Sequence, residues 1–162
     1  MVMTRERNQK DEDTKTFIEE QGLIHLPTGQ FDLKLLRTML NMMPFEIDLI
    51  DADDNFIYFT DSDTRMHHRT TEQLNQELLS LHPEKPEHIR PTVQKILESF
   101  HDGTASHYEQ WFPMAGKTCY INYYALRDCD GRYLGCMEFT GDISRIQGLR
   151  GIRTPHNSGK SE

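Results

Sequence analysis

The sequence predicts an α+β fold: a five-stranded antiparallel sheet with helices on one face and an extra helix ahead of it. Three observations predict this. The strand-like segments fall into a group of two and a group of three, separated by a helical insert. The connections inside each group are short and rich in turn formers, the hairpin signature of an antiparallel sheet. Two segments, around 33–43 and 93–100, repeat apolar residues at helical spacing and so need a sheet face to cover.

In chain order, residues 1–15 hold almost nothing to bury and read as a disordered tail. A short helix is expected over 16–21, carrying Phe17 and Ile18. Leu23 to Leu26 is strand-like, and Pro27-Thr28-Gly29 is a turn. Asp32 is an N-cap residue type standing before Leu36, Met39, Leu40 and Met43, which recur at helical spacing until Pro44. Residues 45–50 (FEIDLI) alternate apolar and acidic, the pattern of a strand with one buried face. DADDN links it to a second strand at 56–60. Residues 61–81 lack a period and are expected to hold short helical pieces, with Thr71 capping one. His82-Pro83 opens a loop containing Pro86 and Pro91. Val93, Ile96, Leu97 and Phe100 mark an amphipathic helix closed near Gly103. Strands at 105–112, 117–127 and 132–140 follow, the last two joined by Asp130-Gly131. Asp142 can cap a closing helix with Ile143, Ile146 and Leu149 on one side. Residues 151–162 are rich in polar and small residues and read as a second disordered tail, leaving a domain over 16–150.

Bulk properties narrow the function. The 162 residues carry a net charge of −8, with scattered basic residues, which argues against phosphate-neutralising nucleic-acid binding and against an anionic membrane surface. No stretch approaches the roughly 18–20 apolar residues of a membrane span, and the N-terminus has no secretory apolar region. Three cysteines without metal-type pairing suggest reduced thiols and a cytoplasmic location. No nucleophile elbow, P-loop, HExxH or kinase signature is present, so no enzyme is expected. Asp51, Asp53 and Asp54 read as turn formers, since no Glu follows at the calcium-loop position.

The order of elements resembles that of PAS domains, and so do the motifs. GRYLGCMEFTGDIS (131–144) resembles the family's closing segment, with a D-G turn, a strand with an internal Gly, and Asp142-Ile143-Ser144. With LPTGQF, MPFEIDLIDADDNFIYFT, the His-Pro element and INYYALRDCDGRYLGCMEFTGDI, the chain is similar to the C-terminal PAS domain of DUF438-type bacterial proteins over about residues 23–150. It is then a free-standing version or an excised piece.

The resemblance implies a pocket between the concave sheet face and the helices that follow the second strand. Cys119, Ile121 and Tyr123 share one face of the fourth strand. In the last strand, hydrophobicity alone turns Met137 and Phe139 inward, whereas the resemblance turns Cys136, Glu138 and Thr140 inward. Both hold if both faces are covered, the outer one by the helix bearing Leu36, Met39, Leu40 and Met43 or by a second subunit. The candidate pocket residues are Glu138, Tyr123, Ile121, Cys136, Thr140, Trp111, His82, Ile96 and Phe100. Glu138 is the most informative, because a buried carboxylate needs a partner or a proton. Trp111 is expected in the core or in the pocket wall. Adjacent His67 and His68 point apart and are expected in solvent.

The function expected from the resemblance is a non-enzymatic sensory or regulatory module, binding a small ligand or working through a homodimer or a partner signalling domain. One alternative is a docking or dimerisation module filled by its own side chains. Another is a haem-based gas or redox sensor using His82 or His88. No metal site is otherwise expected.

Overall fold

The structure is a computed structural model and describes residues 17–18 and 22–156, with side chains from residue 22 onward. The tail at 1–15 and the last six residues lie outside these. Residues 151–156 are irregular and exposed.

The N-terminal segment differs from the sequence expectation. Phe17–Ile18 is not helical but forms a strand, β1; residues 16 and 19–21 lie outside the described residues. It pairs antiparallel with β2 (Leu23–Leu26), which pairs with β3 (Gly29–Asp32), giving a small separate sheet. Helix α1 (Leu33–Met42) follows, and Asp32 caps it by accepting the Leu35 amide at 2.7 Å. α1 buries none of its residues: Met39 is 48% and Met42 76% exposed.

The main sheet holds β4 (Glu46–Asp51), β5 (Phe56–Phe59), β6 (His107–Met114), β7 (Lys117–Arg127) and β8 (Tyr133–Asp142), in the order β5-β4-β8-β7-β6, antiparallel throughout. β6 continues through Pro113, where the sequence expectation ends it. As an edge strand it tolerates a residue without an amide proton. β8 sits at the centre. Its Gly135 has φ 141°, and a Cβ there would lie 2.0 Å from the Ile50 carbonyl oxygen, so only glycine lets β4 approach this closely.

Between β5 and β6 the chain makes two short 3-10 turns, Thr71–Gln73 and Leu78–Leu81, and then helix α2 (Ile89–Asp102). Thr70, not Thr71, caps the first turn, in a reciprocal capping box with Gln73. Pro91 lies inside the first turn of α2 rather than in the preceding loop, at a position whose amide the helix does not use. Gly103 closes α2 in the left-handed conformation, φ 77°. The closing helix, α3, is only Ser144–Gln147. Asp142 accepts the Ser144 amide at 2.9 Å but stands two residues outside it.

α2 lies against the inner face of the sheet, and its two halves meet that face differently. Leu97 and Phe100, in the C-terminal half, pack with Ile50, Leu78 and Cys136 in a cluster where each is at most 4% exposed. Each large side chain buried there contributes about 1.5–3 kcal/mol. The N-terminal half faces a hollow.

Candidate functional site

Strand register decides which side chains meet the hollow. Tyr123 lies opposite Glu138, Ile121 opposite Thr140, and Gln110 opposite Ile121, so these residues share the inner face. Asp48 is also opposite Glu138, and Glu46 is opposite Thr140. The inner face of β4 is therefore acidic, with Glu46 and Asp48 buried beside Ile50, while Phe45, Ile47 and Leu49 face outward. Hydrophobic patterning alone points the other way.

The loop after β5 makes this possible. Its Arg65 donates to Asp48 at 2.6 Å and approaches Glu46 at 3.4 Å, and Arg69 Nε donates to the other Asp48 oxygen at 2.8 Å. Both guanidiniums are nearly buried, 8% and 12% exposed at the side chain. Each also lies against an aromatic ring, Arg65 on Phe59 and Arg69 on Phe56. Glu46 accepts the backbone amides of Met66 and His67. The loop is thus pinned across the sheet by charge-assisted bonds.

Glu138 is the third carboxylate of this group, and the two arginines are already engaged. Thr140 donates to it at 2.9 Å, and His67 Nδ1 stands 3.9 Å away. Burial, then the Asp48 charge, pushes the Glu138 carboxyl up to about 7. Burial holds His67 and His82 below the ordinary histidine range. His82 Nδ1 lies 2.9 Å from the Leu78 carbonyl oxygen, which can only accept, so the proton is on Nδ1 and Nε2 carries the lone pair. Tyr123 is raised by burial and by the Glu138 charge, and its hydroxyl accepts Gln110 Nε2 at 3.2 Å.

The hollow measures about 500 Å³. Ile89, Thr92, Val93 and Ile96 of α2 form one wall. Gln110, Phe112, Ile121, Tyr123 and Glu138 of the sheet form the opposite one. His67, Arg69, His82, Pro83 and His88 close the rim.

Of the sequence candidates, His82, Ile96, Ile121, Tyr123 and Glu138 line this space. Cys136 lines a much smaller recess beside it, and Thr140 stands behind Glu138. Phe100 belongs to the packed core. Trp111 is neither core nor wall. It lies opposite Tyr120 on the outer face, 60% exposed, because the inner residues of β6 are the alternate Tyr108, Gln110 and Phe112. His67 is not in solvent but at the rim, while His68 is exposed. Patterning missed Glu46, Asp48, Arg65 and Arg69. The only signal for them is two arginines bracketing a short loop, matched by two acids at alternate positions of β4. Cys119 and Cys136 are buried thiols, pushed up to about 11 and about 12, and so lack the thiolate needed for reactivity.

On the outer face, Met137 and Phe139 are half-buried, and Phe139 stacks on Phe45 with ring centroids 4.3 Å apart. Among the described residues no helix is long and apolar enough to cross a membrane.

A profile of PAS domains matches residues 36–144. Among solved structures, a C-terminal domain from Streptococcus mutans is 27% identical, covering 82% of this chain and all of that one, with a TM-score of 0.72. The PAS domain of a Colwellia psychrerythraea protein is 13% identical, covering 70% of this chain and 98% of that one, with a TM-score of 0.51. Vibrio cholerae VqmA, solved as a dimer without its target DNA, is 13% identical over 74% of this chain and 55% of that one, at 0.52. The last two share the fold alone. No curated protein matches the chain. Profile, sheet order and the placement of α2 agree, and the chain belongs to the PAS domain family.

Proposed function

We propose that this chain is a non-enzymatic sensory module whose hollow binds a small molecule and passes the event to a partner. One observation carries the reading: about 500 Å³ of space lies between α2 and the sheet, walled by apolar side chains and holding one buried carboxylate. That is the composition of a small-molecule site, with an apolar lining and few convergent polar groups. A docking module filled by its own side chains would instead be packed along the whole length of α2, as it is around Phe100.

A bound molecule touches α2, β7 and β8 together. It shifts the module only in so far as it binds two arrangements of these elements unequally. The outer surface is where the shift is read. α1 leaves Leu36, Met39, Leu40 and Met43 at least partly uncovered, and the sheet presents Met137 and Phe139 with exposed Trp111 and Tyr124. A second copy of the chain is the occupant proposed for this face, since apolar patches of this kind mark association sites.

A haem reading has one observation in its favour: His82 donates Nδ1–H to a carbonyl and keeps Nε2 free, the arrangement of metal-ligating histidines.

Native mass spectrometry of the purified protein tests these readings together. The expected result is a dimer carrying a small non-covalent mass, without a Soret band. A bare monomer that no small molecule shifts overturns both the ligand and the dimer readings.

A further inference from the structure

The hollow is asymmetric in hydrogen-bonding character, and this narrows its ligand. This inference rests on the hollow being a ligand site. Glu138 brings a carboxylate, and among the described residues Thr140 is its one hydrogen-bond donor. His82 spends its N–H on Leu78 and keeps a lone pair. Of the nearby cations, Arg65 is held by Asp48 and Glu46, and Arg69 binds Asp48 through Nε while its charge only partly favours the Glu138 carboxylate. Three buried carboxylates thus face two guanidiniums, and Glu138, which among the described residues no arginine hydrogen-bonds, is the one that becomes an incompletely paired charge once it ionises. A buried charge of that kind is costly until something pairs with it.

We infer that the ligand is an apolar amine, a hydrocarbon or aromatic body bearing one protonated nitrogen, with Glu138 as its counter-ion. Ile96, Phe112 and Ile121 receive the body, and the ammonium donates to the carboxylate. An anionic ligand would meet a surplus of negative charge. A purely apolar one would cover Glu138 without pairing it.

Methyl NMR on the full chain at about pH 8 tests this with three molecules that share one body: phenethylamine, phenethyl alcohol and hydrocinnamate. The readout is the methyl shifts of Ile89, Ile96 and Ile121, which line the hollow. Phenethylamine is expected to bind at least roughly tenfold more tightly than the alcohol, and hydrocinnamate most weakly. Glu138→Gln is expected to abolish the preference for the amine, so that amine and alcohol bind the variant with the same affinity. An alcohol that binds as tightly as the amine, or a preference that survives Glu138→Gln, overturns the ligand class and leaves the hollow as a binding site. No methyl shift with any of the three at about 10 mM overturns both.

Discussion

Asp48→Ala is expected to destabilise the fold by about 3–5 kcal/mol, the cost of stranding buried charges. Asp48 is 3% exposed, and each of its oxygens holds a different guanidinium, Arg65 at 2.6 Å and Arg69 at 2.8 Å. With Asp48 gone, Arg69 loses its carboxylate and Arg65 keeps only Glu46 at 3.4 Å. Arg65, 8% exposed at the side chain, is the more deeply buried of the two. Urea denaturation measures the loss. Replacing Arg69 by Met in the Asp48→Ala background should restore part of it, because Arg65 still pairs with Glu46 and no unpaired cation then remains. A loss below about 1 kcal/mol, the range of exposed ion pairs, would mean that the loop does not hold the arginines in the interior.

Glu138→Gln is expected to stabilise the protein above neutral pH, and the gain should vanish in acid. The folded protein holds the Glu138 proton up to about pH 7, against an ordinary value of 4.5. Between these values the folded state binds a proton that the unfolded state has released, so this group's contribution is full below about pH 4.5, declines as pH rises, and is gone above about 7. The window corresponds to about 3 kcal/mol. The causes are burial first, then Asp48 and Glu46 beside it on β4, partly offset by Arg69 and the Thr140 hydroxyl. Tyr123 on β7 and His67 on the rim also face it. Gln cannot ionise, so at about pH 8 the variant should exceed the wild type by up to that amount, and at about pH 4 the two should match. His67 and His82, kept neutral by burial, act in the opposite sense, losing stability as pH falls through the ordinary histidine range. They are present in both proteins, so the difference between the two isolates Glu138. A difference independent of pH would show that the carboxylate reaches bulk water.

Element order was legible because local signals carry it. Asp32 caps α1, Gly103 ends α2, and Asp130-Gly131 turns β7 into β8. These depend on backbone conformation and need no knowledge of the tertiary fold. The faces of the strands were less legible. In β4 the acids point inward because their partners come from residues 65–69, a loop with no periodicity to read. In β8 the inward phase of Cys136, Glu138 and Thr140 was legible only through the resemblance, since Met137 and Phe139 are the more apolar set. Trp111 was misplaced because large aromatics are usually buried, whereas β6 is an edge strand whose outer face is open. The small N-terminal sheet was missed because Gly29–Asp32 carries little strand propensity.

The ligand site exists only because the N-terminal half of α2 stands off the sheet. A crystal structure of the purified protein, solved finely enough to place side chains and waters, tests this most directly. The expected result is a hollow of about 500 Å³ between Ile96 and Ile121, with non-protein density beside Glu138. Phe112 and Tyr123 folded into that space, with no room left between α2 and the sheet, would contradict it.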